Sequence, residues 1–219
     1  MSTLIKNKFD AVIFDCDGTA SEIEGIDELA HFNKVGEAVA NMTANAMGKT
    51  GLNEQLYEDR LNLVKPKQEQ MQQLAELYYN RRSQHVEQVI QTIQELGIDV
   101  YMISAGLYPA VHDFAVQLGI KSENVFAVEI DFDETGQYID FNHASPLIDN
   151  RGKQKIIEEI RKKQPRLLHI GDGLNDFSCK DFVTQFIGYG GTYYREDLAK
   201  QCDLYITDLN DILNQLSTK

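Results

Sequence analysis

The chain has 219 residues, 34 acidic against 21 basic, and a formal net charge of −13. That length accommodates one large domain, or a core carrying a smaller one, and in either case a real apolar core. The charge excludes a nucleic-acid partner, which needs a basic surface, and obliges any phosphate pocket to make its positive potential locally.

At the start of the chain, MSTLIKNKFD lacks the apolar segment of a signal peptide, and no later run is long enough to cross a bilayer. With three scattered cysteines, Cys16, Cys179 and Cys202, this predicts a cytoplasmic protein with reduced thiols and no membrane partner. AVIF (11–14) reads as a buried strand that ends in DCDGT. Residues 21–82 then show no strand pattern. Stripes such as Ile26, Leu29, Ala30 and Met71, Leu74, Leu77, Tyr78 predict helices, and the Gln-rich KQEQMQQLAELY predicts a solvated helix face. The expected organisation is an α/β core from residues 1–20 and 83–219, with residues 21–82 forming a helical cap domain that determines substrate specificity.

Beyond the insertion, Val86, Val89, Ile90, Ile93 and Leu96 repeat at helical spacing and Gly97 ends the run. DVYMIS (99–104) is a strand. A helix follows, with Pro109 near its start and Gly119 after it. VEIDFDETGQYIDF alternates on both sides of a turn, which favours a β-hairpin over a calcium loop; Asp131, Asp133 and Gly136 suit such a loop, but Asn142 stands where its bidentate Glu belongs. RLLHIGD (166–172), FIGY (186–189) and LYIT (204–207) complete the strands. Strands separated by helices imply a Rossmann-like parallel sheet with helices on its faces.

Ligands of such sheets bind beyond the carboxyl ends of the strands. Asp15 and Asp17 follow the first strand, Ser104 the second and Asp172 the later one, with Asp176 in GDGLND and Lys153 ahead of that strand. Two carboxylates two residues apart repel, and a cluster of oxygen donors suits Mg²⁺. The ion would neutralise Asp15 and Asp172 and face the backbone carbonyl of Asp17, leaving that side chain to hold a proton. A carboxylate nucleophile, a metal, a lysine and a hydroxyl point to phosphoryl transfer through an aspartyl-phosphate. Asp15 would attack phosphorus, Lys153 and Ser104 would hold its oxygens, and Asp17 would serve as acid and then base.

DCDGT, the serine of ISAG, Lys153 in RGKQK and GDGLND, in that order, resemble the four motifs of the haloacid dehalogenase superfamily of Mg²⁺ phosphohydrolases. EGIDELA, the methionine in AMGK, ISAGL, QYIDF and FIGYGGTYYR are similar to its phosphoserine-hydrolysing branch, across about residues 8–216. The resemblance implies Asp15 as nucleophile, Asp17 as acid/base, Ser104 and Lys153 as phosphate ligands, and Asp15, Asp17 and Asp172 as Mg²⁺ ligands supported by Asp176. It places Asn175 near substrate or water, Glu24 against a substrate ammonium and Arg60 against a substrate carboxylate. The implied reaction converts O-phospho-L-serine to L-serine and phosphate.

Two departures bear on the substrate: Ala105 stands where the family has a second glycine, and Asn53 where it commonly has Phe. They keep open a phosphatase or phosphotransferase acting on another small phosphorylated metabolite. A signalling receiver, opposed by the insertion and by Asp17, and a binding module without catalysis are more distant readings. Tyr78, Tyr79, Tyr193, Tyr194 and His169 read as packing residues, and a homodimer remains compatible with the sequence.

Overall fold

The computed structural model of the chain describes residues 8–47 and 52–216. Strand β1 (Ala11–Phe14) has every residue buried, because it lies mid-sheet with helices on both faces. Four helices follow: α1 (Gly25–Phe32), α2 (Gly36–Met47), α3 (Glu54–Val64) and α4 (Gln68–Asn80). Then come α5 (Val86–Glu95), β2 (Asp99–Leu107), α6 (Tyr108–Gln117), β3 (Val125–Val128) and a hairpin of β4 (Ile130–Phe132) and β5 (Tyr138–Phe141). The chain closes with α7 (Gly152–Lys163), β6 (Leu167–Gly171), α8 (Leu174–Phe177), β7 (Gln185–Tyr189), α9 (Glu196–Ala199) and β8 (Tyr205–Ile206).

Six strands form one parallel sheet in the order β3-β2-β1-β6-β7-β8. The sheet grows from β1 toward β3 on one side and from β6 toward β8 on the other. Strand order therefore reverses beside β1, which opens a crevice at the carboxyl ends there. The expected α/β architecture is the one observed.

The helical insertion leaves and rejoins the sheet through two adjoining segments. Glu22 N–H donates to Arg81 O at 2.8 Å, Ser83 N–H to Ala20 O at 2.9 Å, and the Ser83 hydroxyl to Thr19 O at 2.6 Å. The buried Ser21 hydroxyl lies 3.0 Å from both Tyr78 O and Arg81 O. Helix α4 packs on α6, with the rings of Tyr78 and Phe114 stacked at 5.4 Å. The hairpin reaches the insertion too: Gln68 N–H donates to Gly136 O at 2.9 Å, and the Tyr57 and Phe141 rings sit 5.2 Å apart.

Several details differ from expectation. Strand β2 runs on to Leu107, past Ser104, because its register with β3 shifts between Ile103 and Leu107 and absorbs Ser-Ala-Gly as an irregular extension. Strand β3 was not foreseen; VFAV is short, and its order comes from parallel pairing with β2 rather than from its own pattern. Within the Gln-rich run, Gln70 is buried, its amide bonded to Asn33 and its carbonyl accepting from Lys67 N–H. Met47 closes α2, and its side chain lies outside the described residues.

Candidate active site

Asp15 follows β1 directly and is almost fully buried, with its Oδ1 accepting from Cys16 N–H at 2.8 Å. Lys153, in the first turn of α7, reaches between two carboxylates: its Nζ stands 2.5 Å from Asp15 Oδ1 and 2.6 Å from Asp176 Oδ1. Both partners are buried, and their attraction outweighs the burial that opposes a charged lysine, holding its ammonium protonated. Burial pushes the Asp15 carboxyl well up, with Asp176 adding to it and Lys153 opposing. Burial raises Asp176 too, but Lys153 and His169 together pull it well below the usual carboxylate range.

Asp172 stands just past β6. Burial, then Asp176, push its carboxyl up to about 6, against the guanidinium of Arg195, whose Nη2 lies 3.0 Å from Asp172 Oδ2. Gly18 turns with φ +69°, and a Cβ there would come within 2.8 Å of Asp172 Oδ2. The turn after β1 therefore needs glycine both for its backbone and for room beside that carboxylate. Asp15, Asp172 and Asp176 each offer an oxygen within 4.8 Å of the others. Three buried carboxylates, two of them raised by burial and mutual repulsion, are a hard oxygen set short of positive charge, which a divalent cation such as Mg²⁺ fits.

Asp17 sits across the crevice. Its Oδ1 accepts from Gly25 N–H at 2.6 Å and from the Tyr78 hydroxyl at 2.7 Å. Its Oδ2 accepts from the Ser104 hydroxyl at 3.1 Å, while Ser104 Oγ accepts from Gly106 N–H at 2.8 Å. The structure thus brings Asp15, Asp17, Ser104, Lys153, Asp172 and Asp176 into one crevice. Asn175 lies beside them, but its side-chain Oδ1 accepts from Asp176 N–H at 3.0 Å and builds the turn into α8.

The insertion supplies the remaining residues. Glu24 immediately precedes α1; burial, then Asp17 and Asp172, push its carboxyl up to about 8. Arg60 on α3 feels Asp27, Glu24 and Asp17, and its buried Nε has no hydrogen-bond partner among the described residues. One turn earlier, Tyr57 donates to Ala105 O at 2.9 Å, tying α3 to the Ser104 segment. Asn53 caps α3 by accepting from Leu56 N–H at 3.1 Å, which accounts for a polar residue at that position.

Sequence reasoning missed three site residues. Tyr78 does pack, but its hydroxyl also bonds a key carboxylate; a buried phenol needs a partner, and that rule was the available signal. His169 is fully buried, yet its Nε2 stands 3.4 Å from Asp176 Oδ1, so it backs the cluster as well as filling the core. Arg195, which ends FIGYGGTYYR, meets Asp172 only through the path of its loop, and no local pattern marks it.

The profile of the haloacid dehalogenase-like hydrolases matches residues 9–178. Phosphoserine phosphatase of Bos taurus is 34% identical over 209 residues, covering 94% of this chain and 93% of its own. The chloroplastic phosphoserine phosphatase of Arabidopsis thaliana is 35% identical over 211 residues, covering 94% of this chain and 72% of its own. A solved phospho-aspartyl intermediate analogue of phosphoserine phosphatase superposes with a TM-score of 0.78 at 25% identity, covering 94% of this chain and 98% of that one. The chain belongs to the haloacid dehalogenase-like hydrolase family. Within it, the chain is phosphoserine phosphatase-like, a phosphoric monoester hydrolase.

Proposed function

We propose that the chain hydrolyses O-phospho-L-serine to L-serine and phosphate through an aspartyl-phosphate on Asp15, with Mg²⁺ as cofactor. The observation that carries the reading is the convergence of Asp15, Lys153, Asp172 and Asp176 beside Asp17 and Ser104. Mg²⁺ would be held by Asp15, Asp172 and the backbone carbonyl of Asp17, with Asp176 in support, and would supply positive charge to the phosphoryl oxygens.

Asp15 attacks phosphorus; its carboxylate oxygen forms the new P–O bond as the ester P–O bond breaks. Lys153 and Ser104 hold the oxygens of the transferring group. Asp17 gives its proton to the departing serine oxygen, then takes one from the water that cleaves the acyl phosphate. Residues 21–82 act as a cap over residues 1–20 and 83–219. In the cap, Glu24 faces the substrate ammonium and Arg60 its carboxylate, a use supported by an Arg60 Nε that has no partner among the described residues. Among the described residues no helix is long and apolar enough to cross a membrane, and Cys16, Cys179 and Cys202 are free thiols, which supports a cytoplasmic setting.

Phosphate release from a panel of phosphorylated amino acids, sugars and small acids, with Mg²⁺ and with chelator, tests the reading. Phosphoserine should dominate and chelator should abolish release. Dominant turnover of another metabolite would move the substrate elsewhere in the superfamily while leaving the chemistry in place.

A further inference from the structure

Tyr78 lies on α4, remote in sequence from the strand ends, and is fully buried. Its ring stacks on Phe114 at 5.4 Å with planes 19° apart, and its carbonyl accepts from the Ser21 hydroxyl at 3.0 Å. Ring and backbone are thus both fixed, and the hydroxyl donates to Asp17 Oδ1 at 2.7 Å. Gly25 N–H donates to the same oxygen at 2.6 Å. A Cβ on Gly25 would come within 2.0 Å of the phenol oxygen, so the glycine makes the room that the phenol occupies.

We infer that Tyr78 is a positioning residue for Asp17, which with Gly25 occupies Oδ1 and thereby confines the transferable proton to Oδ2. This rests on the proposed role of Asp17 as acid. The two oxygens of Asp17 are not equivalent: among the described residues Oδ1 receives two donors, whereas Oδ2 receives only the Ser104 hydroxyl. When Ser104 turns its hydroxyl to a phosphoryl oxygen, Oδ2 alone is left open toward the ester oxygen that departs.

The test is kcat/KM across phosphomonoesters of rising leaving-group basicity that all lack the ammonium and carboxylate met by Glu24 and Arg60, from p-nitrophenyl phosphate through phenyl phosphate to ethyl phosphate, for wild type, Tyr78→Phe and Asp17→Asn. This quantity ends at transfer to Asp15, so the later water step does not enter. An alkoxide needs the proton and a nitrophenolate hardly does. Tyr78→Phe should therefore lower the ratio of ethyl phosphate to nitrophenyl phosphate activity about tenfold, the worth of one oriented hydrogen bond. Gly25→Ala, which crowds the phenol off Asp17 without removing it, should lower that ratio in the same direction. A purely structural role for Tyr78 would depress all esters alike, and that outcome overturns the inference. If Asp17→Asn also depresses all esters alike, Asp17 is not the acid, and both readings fall. If wild type releases no phosphate with Mg²⁺, the hydrolase mechanism falls first and this inference with it.

Discussion

Lys153 divides its ammonium between Asp15 and Asp176, and that division governs what a substitution at Asp15 does. Asp15→Asn removes the proposed nucleophile but leaves Lys153 paired with Asp176 at 2.6 Å. It also deletes a carboxyl that burial and a neighbouring charge have already pushed up. Turnover should therefore fall by about 10³-fold or more. Melting in metal-free buffer should stay at or above the wild-type temperature; a clearly lower one would mean that the Asp15–Lys153 contact is a net stabilising pair. Arg60 is the converse case, a cation whose buried Nε has no partner among the described residues, facing Asp27, Glu24 and Asp17. Arg60→Ala should raise KM for phosphoserine at least tenfold, roughly the loss of one bidentate ion pair in a dry site. Aryl phosphates lack the carboxylate and should be affected much less; equal losses on both would end the assignment of Arg60 to that group.

At the scale of elements, β1 is held at its start as well as along its length. Asp10 accepts from Arg166 N–H at 2.9 Å and from Arg166 Nε at 3.1 Å, locking the entry of β1 to that of β6 at the sheet end away from the crevice. These bonds hold the Asp10 carboxyl below its ordinary 3.8. The folded chain then binds fewer protons there than the unfolded chain, so the stabilisation is present above pH 3.8 and is lost as pH falls through the lower folded value. Asp10→Asn should melt lower than wild type near neutrality, and the gap should close below about pH 4. A constant gap across pH would locate the effect in shape and not in charge. Elements like β1, α5 and α6 were legible because each carries its own periodicity and stop signal: Ala11–Phe14 as an unbroken apolar run, Gly97 and Gly119 after the two helices. The site was legible wherever a reactive residue follows such an element directly, as Asp15 follows β1 and Asp172 follows β6, whereas Ser104 closes only the regular apolar part of β2, which runs on to Leu107. Strand β3 is four residues long and owes its pairing to β2, while Tyr78 looks like any apolar helix position until its hydroxyl finds Asp17. Arg195 is set by a loop, and a loop's path is a property of the whole fold.

At the scale of the molecule, a chain of net charge −13 carries three buried carboxylates around one point. Lys153 offsets part of that charge, and Arg195 reaches it only from the surface. The remaining repulsion makes the apo fold pay at the centre of its own crevice, so a divalent cation there should act on the stability of the whole chain. A ligand bound to the folded state at a hundred times its Kd adds about 2.7 kcal/mol, which for a chain of this size raises Tm by about 5–10 °C. Mg²⁺ should produce a shift of that order, and chelator should reverse it. NaCl at matched ionic strength should not reproduce it, because salt screens surface charges far better than buried ones. Asp172→Asn should abolish most of the shift while leaving the parallel sheet intact by circular dichroism. If NaCl matches Mg²⁺, or if Asp172→Asn responds as wild type does, the cation is relieving diffuse surface repulsion, and the carboxylates at the ends of β1 and β6 do not hold it.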